Sequence, residues 1–161
     1  SKASTGNVEM HMEACDAAVM ISQVVGEYQD KLQAQDIEIV VNEAKNPANI
    51  MADGRHLWRV FDNIMSNICK YTQDHTRVYV NVEDAGDQVR MIFKNISKYP
   101  LNISSDELME RFVRGDASRN TEGHGLGLSI ASSLTALMDG QLTIDIDGDL
   151  FKITVAMKKQ A

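Results

Sequence analysis

One face of an expected helix carries an unusual set of polar side chains. Asn63, Asn67 and Lys70 stand at positions i, i+4 and i+7, so a helix over residues 53–71 places all three on the same side. Asparagine is a poor helix former, so two of them in a helix middle suggest a role other than helix stability. An amide oxygen can ligate magnesium, and a lysine ammonium is a point charge for phosphate. From these residues alone, a plain solvated face remains the alternative.

A second candidate lies late in the chain, where three glycines alternate with other residues just before an expected helix. The segment reads Gly123-His124-Gly125-Leu126-Gly127-Leu128. Bare backbone N–H groups at the positive end of a helix can approach a phosphate closely. The dinucleotide fingerprint would need a glycine where Leu128 stands, and the Gly-Lys-Ser/Thr of a Walker loop is missing. Taken alone, the segment fits a phosphate-binding loop and an ordinary flexible loop equally well.

Hydrophobic periodicity predicts the elements that position these residues. Apolar residues recur at helical spacing after Asp16, from an expected N-cap at Asp53 to about Tyr71, and after Gly127. Alternating or β-branched runs predict strands at residues 37–41, 50–51, 78–82, 89–93, 142–146 and 151–155. Short turns, including Asp147-Gly148, join most consecutive strands. We therefore expect an α/β two-layer sandwich, with a mixed, largely antiparallel sheet and three helices on one face.

The composition argues against several classes of protein. Sixteen basic and 23 acidic residues give a net charge of -7, which disfavours general binding to nucleic acid or anionic lipid. No apolar run approaches the ~20 residues of a membrane span. Cys15 and Cys69 are isolated, which disfavours a disulfide framework and a structural zinc site. These features predict a soluble domain in the cytoplasm.

Taken together, the motifs resemble the ATP-binding catalytic domain of bacterial sensor histidine kinases, from the ATPase superfamily shared with DNA gyrase and MutL. Residues 63–72 resemble the N box, residues 110–115 the F box and residues 123–128 the second glycine box. The likeness covers roughly residues 16–157, with the motifs in the family's order. The resemblance implies a Bergerat-type ATP-binding fold, with helices on one face of a mixed sheet.

The resemblance also implies roles for the residues of the helix 53–71. Asn67 would ligate the magnesium ion that bridges the ATP phosphates, and Asn63 would support the phosphates or the metal. Lys70 would contact phosphate, and Tyr71 would pack near the nucleotide. Hydrolytic branches of the superfamily carry a glutamate four residues before the magnesium asparagine, where it activates water. Asn63 is an amide that cannot take this proton, so we expect phosphotransfer to another acceptor and not hydrolysis.

Further implied contacts come from the second half of the chain. The polar segment 98–122 is expected to be a functional lid or a disordered loop. Within it, Arg114, and less surely Arg119, would help hold the transferring phosphoryl group. The backbone of residues 123–128 would hold the phosphates.

The first glycine box departs from the family pattern. Asn95 stands where the family has an aspartate that accepts a hydrogen bond from adenine, and Ser97 replaces a glycine. An amide oxygen can still accept this bond, but a neutral bond is weaker than a charge-assisted one. These two positions support an alternative function, a degenerate nucleotide-sensing or partner-binding module without phosphotransfer.

The phospho-acceptor of such a kinase is missing from this sequence. None of the histidines is followed by the acidic residue typical of the acceptor box. We therefore expect residues 1–14 to be a remnant linker from a helical dimerisation domain, and residues 15–161 to be the ATP-binding domain. With Mg-ATP bound, it would donate the γ-phosphoryl to a histidine of that helical domain, and a response regulator would act downstream. Alone, it would not autophosphorylate; a membrane anchor in the parent protein remains open.

Overall fold

The computed structural model describes residues 9–43, 49–101, 104, 106–108 and 126–160. Strands and helices alternate along this part of the chain. Their bounds are β1 Glu13–Asp16, α1 Ala17–Ala34, β2 Glu38–Asn42, β3 Asn49–Ala52, α2 Gly54–Tyr71, β4 Arg77–Asp84, β5 Gln88–Ile96, α3 Leu126–Leu137, β6 Gln141–Asp147 and β7 Leu150–Lys158.

Five of the strands form the main sheet, in the order β2-β4-β5-β7-β6. The strands β4, β5, β7 and β6 pair antiparallel with their neighbours, whereas β2 pairs parallel with β4. A parallel pair needs a long crossover, and the chain between β2 and β4 supplies one that contains β3 and α2. The strands β1 and β3 form a separate antiparallel pair.

The core lies between the helices and one face of the main sheet. Val78, Val80 and Val82 alternate along β4 and are buried, while the residues between them are more exposed. The ring of Phe93 on β5 lies 5.9 Å from that of Phe61 on α2. Helices therefore cover one face of a mixed, largely antiparallel sheet, and the predicted α/β two-layer sandwich is confirmed.

Asp53 fixes the start of α2. Its carboxylate accepts hydrogen bonds from the backbone N–H groups of Arg55 and His56, at 3.0 and 3.3 Å. A third N–H, that of His11, donates to the same carboxylate at 2.8 Å. Burial alone would raise the pKa of Asp53, but these donors and the nearby His56 ring outweigh it and hold the pKa below its usual value. The predicted N-cap is confirmed, and it also fastens the residues before β1.

Two details differ from the sequence-based expectations. Strand β1 was not predicted, and it begins at Glu13, inside the segment expected to be a linker. Only Cys15 of its four residues is buried, so the sequence shows no alternation there. The turn between β6 and β7 lies one residue later than Asp147-Gly148, since Asp147 pairs with Leu150. Gly148 begins this two-residue loop with a φ of 59°, a conformation that glycine adopts without strain.

Candidate functional site

The polar face of α2 runs from a buried to an exposed side chain. Asn67 is only 6% exposed, Asn63 is half-buried and Lys70 is exposed. The Nδ2 atom of Asn63 is buried, with no hydrogen-bond partner among the described residues. The opposite face of the helix is fully in the core. Because the core does not need the amide of Asn63, its buried Nδ2 atom suggests a polar pocket that is completed by something other than the described residues.

The end of α2 is joined to the end of β5 by backbone hydrogen bonds. Thr72 and Ser97 form an isolated antiparallel bridge. The N–H of Gln73 donates to the carbonyl of Ile96 at 2.8 Å, and the N–H of Lys98 donates to the carbonyl of Tyr71 at 2.9 Å. These contacts bring the residues that resemble the N box next to Asn95 and the altered first glycine box.

A cluster of buried polar side chains lies at this junction. Asn95 is 2% exposed and Thr72 is fully buried. The Nδ2 atom of Asn95 and the Oγ1 atom of Thr72 have no hydrogen-bond partner among the described residues. An unsatisfied buried polar group costs roughly 1–3 kcal/mol. Two such groups at one junction are best explained by a bound molecule or by ordered water that satisfies them.

Aromatic rings border the junction. The rings of Tyr71 and Tyr99 meet edge to face, with centroids 6.3 Å apart. Tyr99 is 48% exposed, and the ammonium of Lys98 lies 6.0 Å from its ring centroid. Tyr99 is held by Ser97, whose hydroxyl donates to the Tyr99 carbonyl at 2.7 Å. A planar group such as a nucleobase could pack on the exposed ring of Tyr99.

Helix α3 packs against α2 and carries the end of the glycine-rich segment. Leu128 is buried in the core, whereas a Cβ on Gly127 would meet no atom within 4 Å. The backbone at Gly127 is therefore open among the described residues, whereas the side chain of Leu128 anchors the start of α3 in the core. The remaining predicted residues of this region lie outside the described part of the chain: Arg114, Arg119, Gly123, His124, Gly125 and the side chain of Leu126.

The structure thus places four predicted residues along the second half of α2, whose end is joined to the strand that carries Asn95: Asn63, Asn67, Lys70 and Tyr71. Sequence reasoning assigned no role to Thr72, which the bridge to Ser97 brings to the same junction. Its only signal was its position within the motif, directly after Tyr71. The roles assigned to all of these residues stay predictions.

A magnesium ion bound with a nucleotide fits the donors available here. The described residues contain no group of three or more His, Cys, Asp and Glu side chains that could hold a metal by themselves. Magnesium usually keeps several waters and takes one or two protein ligands together with the phosphates of its substrate. The neutral amide oxygen of Asn67 suits a site of that kind.

A family model settles the relationship of this fold to known proteins. The model for histidine kinase-, DNA gyrase B- and HSP90-like ATPases matches residues 52–160. The chain belongs to this ATPase family. The matched range contains α2, the junction with β5 and the glycine-rich segment, so the resemblance to the ATP-binding domain of sensor histidine kinases is confirmed.

Relatives of this ATPase domain are sensor proteins. The chain is 35% identical over 112 residues to the probable sensor protein PcoS of Escherichia coli, an alignment covering 67% of this chain and 24% of PcoS. It is 30% identical over 129 residues to the sensor protein VanS of Enterococcus faecium, covering 79% of this chain and 33% of VanS. The chain therefore spans about a quarter to a third of these sensor proteins.

The fold also matches a solved domain of the same kind. The catalytic domain of the histidine kinase ThkA, in a nucleotide-free form, superposes with a TM-score of 0.80 at 20% identity. The match covers 93% of this chain and 97% of the ThkA domain. None of the described helices of this ATPase domain has the length and apolar character needed to cross a membrane.

Proposed function

We propose that this ATPase domain binds Mg-ATP along α2 and donates the γ-phosphoryl to a histidine of a helical dimerisation domain outside the chain. The observation that carries the proposal is Asn63. Its amide stands where the hydrolytic branches have a glutamate base, and its buried Nδ2 lacks a partner among the described residues. An amide positions and polarises without removing a proton, so the site favours transfer to a protein acceptor over attack by water.

The residues of α2 divide the work of holding the triphosphate. Bound magnesium would neutralise charge on the phosphates, and the amide oxygen of Asn67 would be its protein ligand. Lys70 extends into solvent one turn further along, where its ammonium can reach a phosphate oxygen. Catalysis would then rest on positioning and charge neutralisation, which are the main contributions in phosphoryl transfer.

The base would lie at the junction of α2 and β5. There the side chains of Asn95 and Thr72 offer polar atoms without partners among the described residues, and Tyr71 borders them. Arg114 and the backbone of residues 123–128 would complete the site from the phosphate side, with Arg119 as a weaker candidate.

The wider setting follows from the sensor relatives. We infer that the domain works in the cytoplasmic part of a two-component sensor kinase. The helical dimerisation and phospho-acceptor domain would be its direct partner, and a response regulator would receive the phosphoryl group from that domain.

Titration with a non-hydrolysable ATP analogue, with magnesium and with a chelator, tests this proposal. Replacing Asn67 by Ala removes the proposed ligand without touching the apolar stripe of α2, and should weaken magnesium-dependent binding at least tenfold. Asn81→Ala is a matched control, because Asn81 is on the opposite face of the sheet, where it bonds Asn42. Unchanged affinity in Asn67→Ala would show that the metal assignment is wrong.

One observation favours the alternative of a nucleotide-sensing module without phosphotransfer. Ser97 stands where the related kinases have a glycine, and its hydroxyl is bonded to the Tyr99 backbone in both directions, at 2.7 and 3.2 Å. The two bonds hold the backbone of this turn in one conformation. Mixing the domain with labelled ATP and a separately produced dimerisation domain of the parent protein distinguishes the two functions. A kinase transfers the label to the dimerisation domain, whereas a nucleotide-sensing module does not.

A further inference from the structure

The face of the main sheet that points away from the helices carries a small pocket. Alternation places Tyr79 on the opposite side of β4 from the buried Val78 and Val80, and places Lys94 opposite Phe93 on β5. The pocket encloses about 250 Å³ and is lined by Arg77, Tyr79, Lys94, Asn95, Ile96 and Leu150. The polar face of α2 lies on the other side of the sheet, and Asn95 is the one lining residue that the pocket has in common with the proposed nucleotide site.

Two lysines on this outer face lie directly opposite each other. Lys94 on β5 is in register with Lys152 on β7. Like charges at directly paired positions repel and destabilise a sheet. Neither ammonium has a carboxylate within 4.0 Å among the described residues, even though Asp145 is the register partner of Lys152 on β6. Two positive charges without a carboxylate partner among the described residues therefore lie at the centre of this face, in a chain whose net charge is -7.

The remaining positive charge at the pocket is already matched. The Nε atom of Arg77 lies 3.0 Å from a carboxylate oxygen of Glu38, which is its register partner on the edge strand β2. Acidic side chains thus stand at the margin of the face, on β2 and on β6, while Lys94 and Lys152 stand between them. This arrangement is complementary to a ligand with negative charge over the central strands.

Apolar side chains line the rest of the pocket or lie next to it. Tyr79 is 37% exposed, one of the few large apolar residues of the described chain that is so open. Ile92 is only 7% exposed, yet it is not part of the core cluster under the helices. Ile96 and Leu150 are half-buried and are register partners of each other. The outer pocket therefore combines an apolar floor with a cationic rim, and no described helix covers it.

The size of the pocket limits its occupant. Pockets for drug-sized ligands and cofactors enclose about 300–1,000 Å³, and the value here is smaller. It accommodates one large side chain and not a whole nucleotide. We propose that the outer pocket docks an acidic segment of a partner protein, which inserts one aromatic side chain against Tyr79, Ile96 and Leu150 and sets carboxylates beside Lys94 and Lys152. This site is independent of the proposed nucleotide function.

A peptide titration on the full 161-residue chain tests the proposal. The probe is a synthetic heptapeptide with a central phenylalanine flanked by three acidic residues on each side. Backbone amide resonances of the ¹⁵N-labelled chain should shift saturably around residues 77–79, 94–96 and 150–152. A peptide with serine in place of phenylalanine, and one with lysine flanks, should each bind at least tenfold more weakly.

Charge reversal on the chain provides the second arm. Lys94→Glu combined with Lys152→Glu should weaken binding of the acidic peptide at least tenfold. Tyr79→Ser should weaken it equally, because it removes the ring against which the phenylalanine packs. Lys158→Glu is the matched control, because Lys158 is on the same strand and face as Lys152, about 20 Å away at 3.3 Å per residue. Its effect should stay below twofold. A dispersed amide spectrum of each variant shows that it is folded.

Three results would overturn the proposal. One is the absence of saturable binding by the acidic phenylalanine peptide at millimolar concentration. Another is a loss of binding in Lys158→Glu as large as in the double variant, which would indicate general electrostatic attraction and no specific site. The third is shifts at the same residues on raising the protein concentration without peptide, which would assign the face to a second copy of the chain. The analogue titration reports separately on the nucleotide site.

Discussion

Asn95 is held at the meeting point of the sheet and α2, with its side chain almost completely buried. An amide can rotate to present either an acceptor oxygen or a donor nitrogen to a ligand. The aspartate of the related kinases has only acceptors when ionised. The residue at this position therefore sets which edge of a base the site can bind, and also the cost of leaving the site empty.

We predict opposite effects of Asn95→Asp on the empty and the loaded protein. A buried carboxylate without a partner should lower the stability of the nucleotide-free domain. With ATP bound, the charged acceptor should strengthen binding by about 1 kcal/mol, since hydrogen bonds to charged groups are worth more than neutral ones. Thermal unfolding with and without ATP, and affinities for ATP and GTP, measure both effects. Asn95→Asp should prefer ATP over GTP more strongly than the parent does. If the parent, Asn95→Asp and Asn95→Ala all show the same preference, Asn95 does not take part in base recognition.

Thr72 offers a cleaner test of the buried cluster. Valine has nearly the shape of threonine but no hydroxyl, so Thr72→Val removes the unsatisfied Oγ1 atom without opening a cavity. The nucleotide-free variant should be as stable as the parent or up to about 1 kcal/mol more stable. The extra stability that saturating ATP confers should decrease. Thr154→Val, on the outer face of β7, is the control; if Thr72→Val instead destabilises the empty domain, the hydroxyl has a structural partner.

The elements show which parts of the fold a sequence can specify. Helix α2 was predicted with its cap, because Asp53 directly precedes a strong apolar stripe. Strand β1 was not, because it has one buried residue and depends on pairing with β3. The polar face of α2 followed from helical spacing alone. Thr72 and the outer pocket could not be predicted, since both depend on which strand residues face each other.

Gly140, between α3 and β6, is predicted to be essential for the packing of these two elements. A Cβ there would lie 2.4 Å from Sδ of Met157 and 2.8 Å from the carbonyl oxygen of Ala156. The methionine could move, but the backbone oxygen could not without shifting β7. Gly140→Ala should lower the free energy of unfolding by at least about 1 kcal/mol. Gly26→Ala is the matched control, because a Cβ in the middle of α1 meets nothing within 4 Å among the described residues and should stabilise the domain. If Gly140→Ala leaves the stability unchanged, β7 can shift to accommodate the Cβ.

The N-cap of α2 should make the free energy of unfolding depend on pH. The pKa of Asp53 is lowered in the folded state, so its negative charge stabilises the fold at neutral pH. This stabilisation is lost as the pH falls below about 4, the pKa of an unfolded aspartate, and through the lower pKa of the folded state. The His56 ring, 4.0 Å away, contributes to this lowering of the Asp53 pKa. Urea unfolding at several pH values should show parent and Asp53→Asn converging only below about pH 4. Asp87→Asn, in an exposed loop, should track the parent throughout.

At the scale of the whole molecule, the proposed nucleotide site and the outer pocket lie on opposite faces of one sheet. They share the strand β5 and meet at Asn95, which is buried and also lines the pocket. The side chains that would hold an acidic partner, Lys94 and Lys152, lie away from the polar face of α2. Both sites could therefore be occupied at once, each with its own ligand chemistry.

The whole chain, given labelled ATP and magnesium, is predicted to acquire no stable label. No histidine in it has the context of a phospho-acceptor, and Asn63 cannot act as a base for rapid hydrolysis. Incubation with γ-labelled ATP, followed by gel analysis and phosphate release, measures both outcomes. Label on the chain, or turnover well above the spontaneous rate, would contradict the assignment of Asn63.

The hydrogen bond from His11 to Asp53 has a mechanical consequence. Tension that arrives along the chain before β1 is passed through this bond to the start of α2. The helix has 18 residues, so at 1.5 Å per residue it is a stiff rod about 27 Å long. Lys70 and Tyr71 are at its far end, and the bridge between Thr72 and Ser97 fastens that end to the sheet. The helix is thus fastened at both ends, so a pull on the residues before β1 would load it along its length.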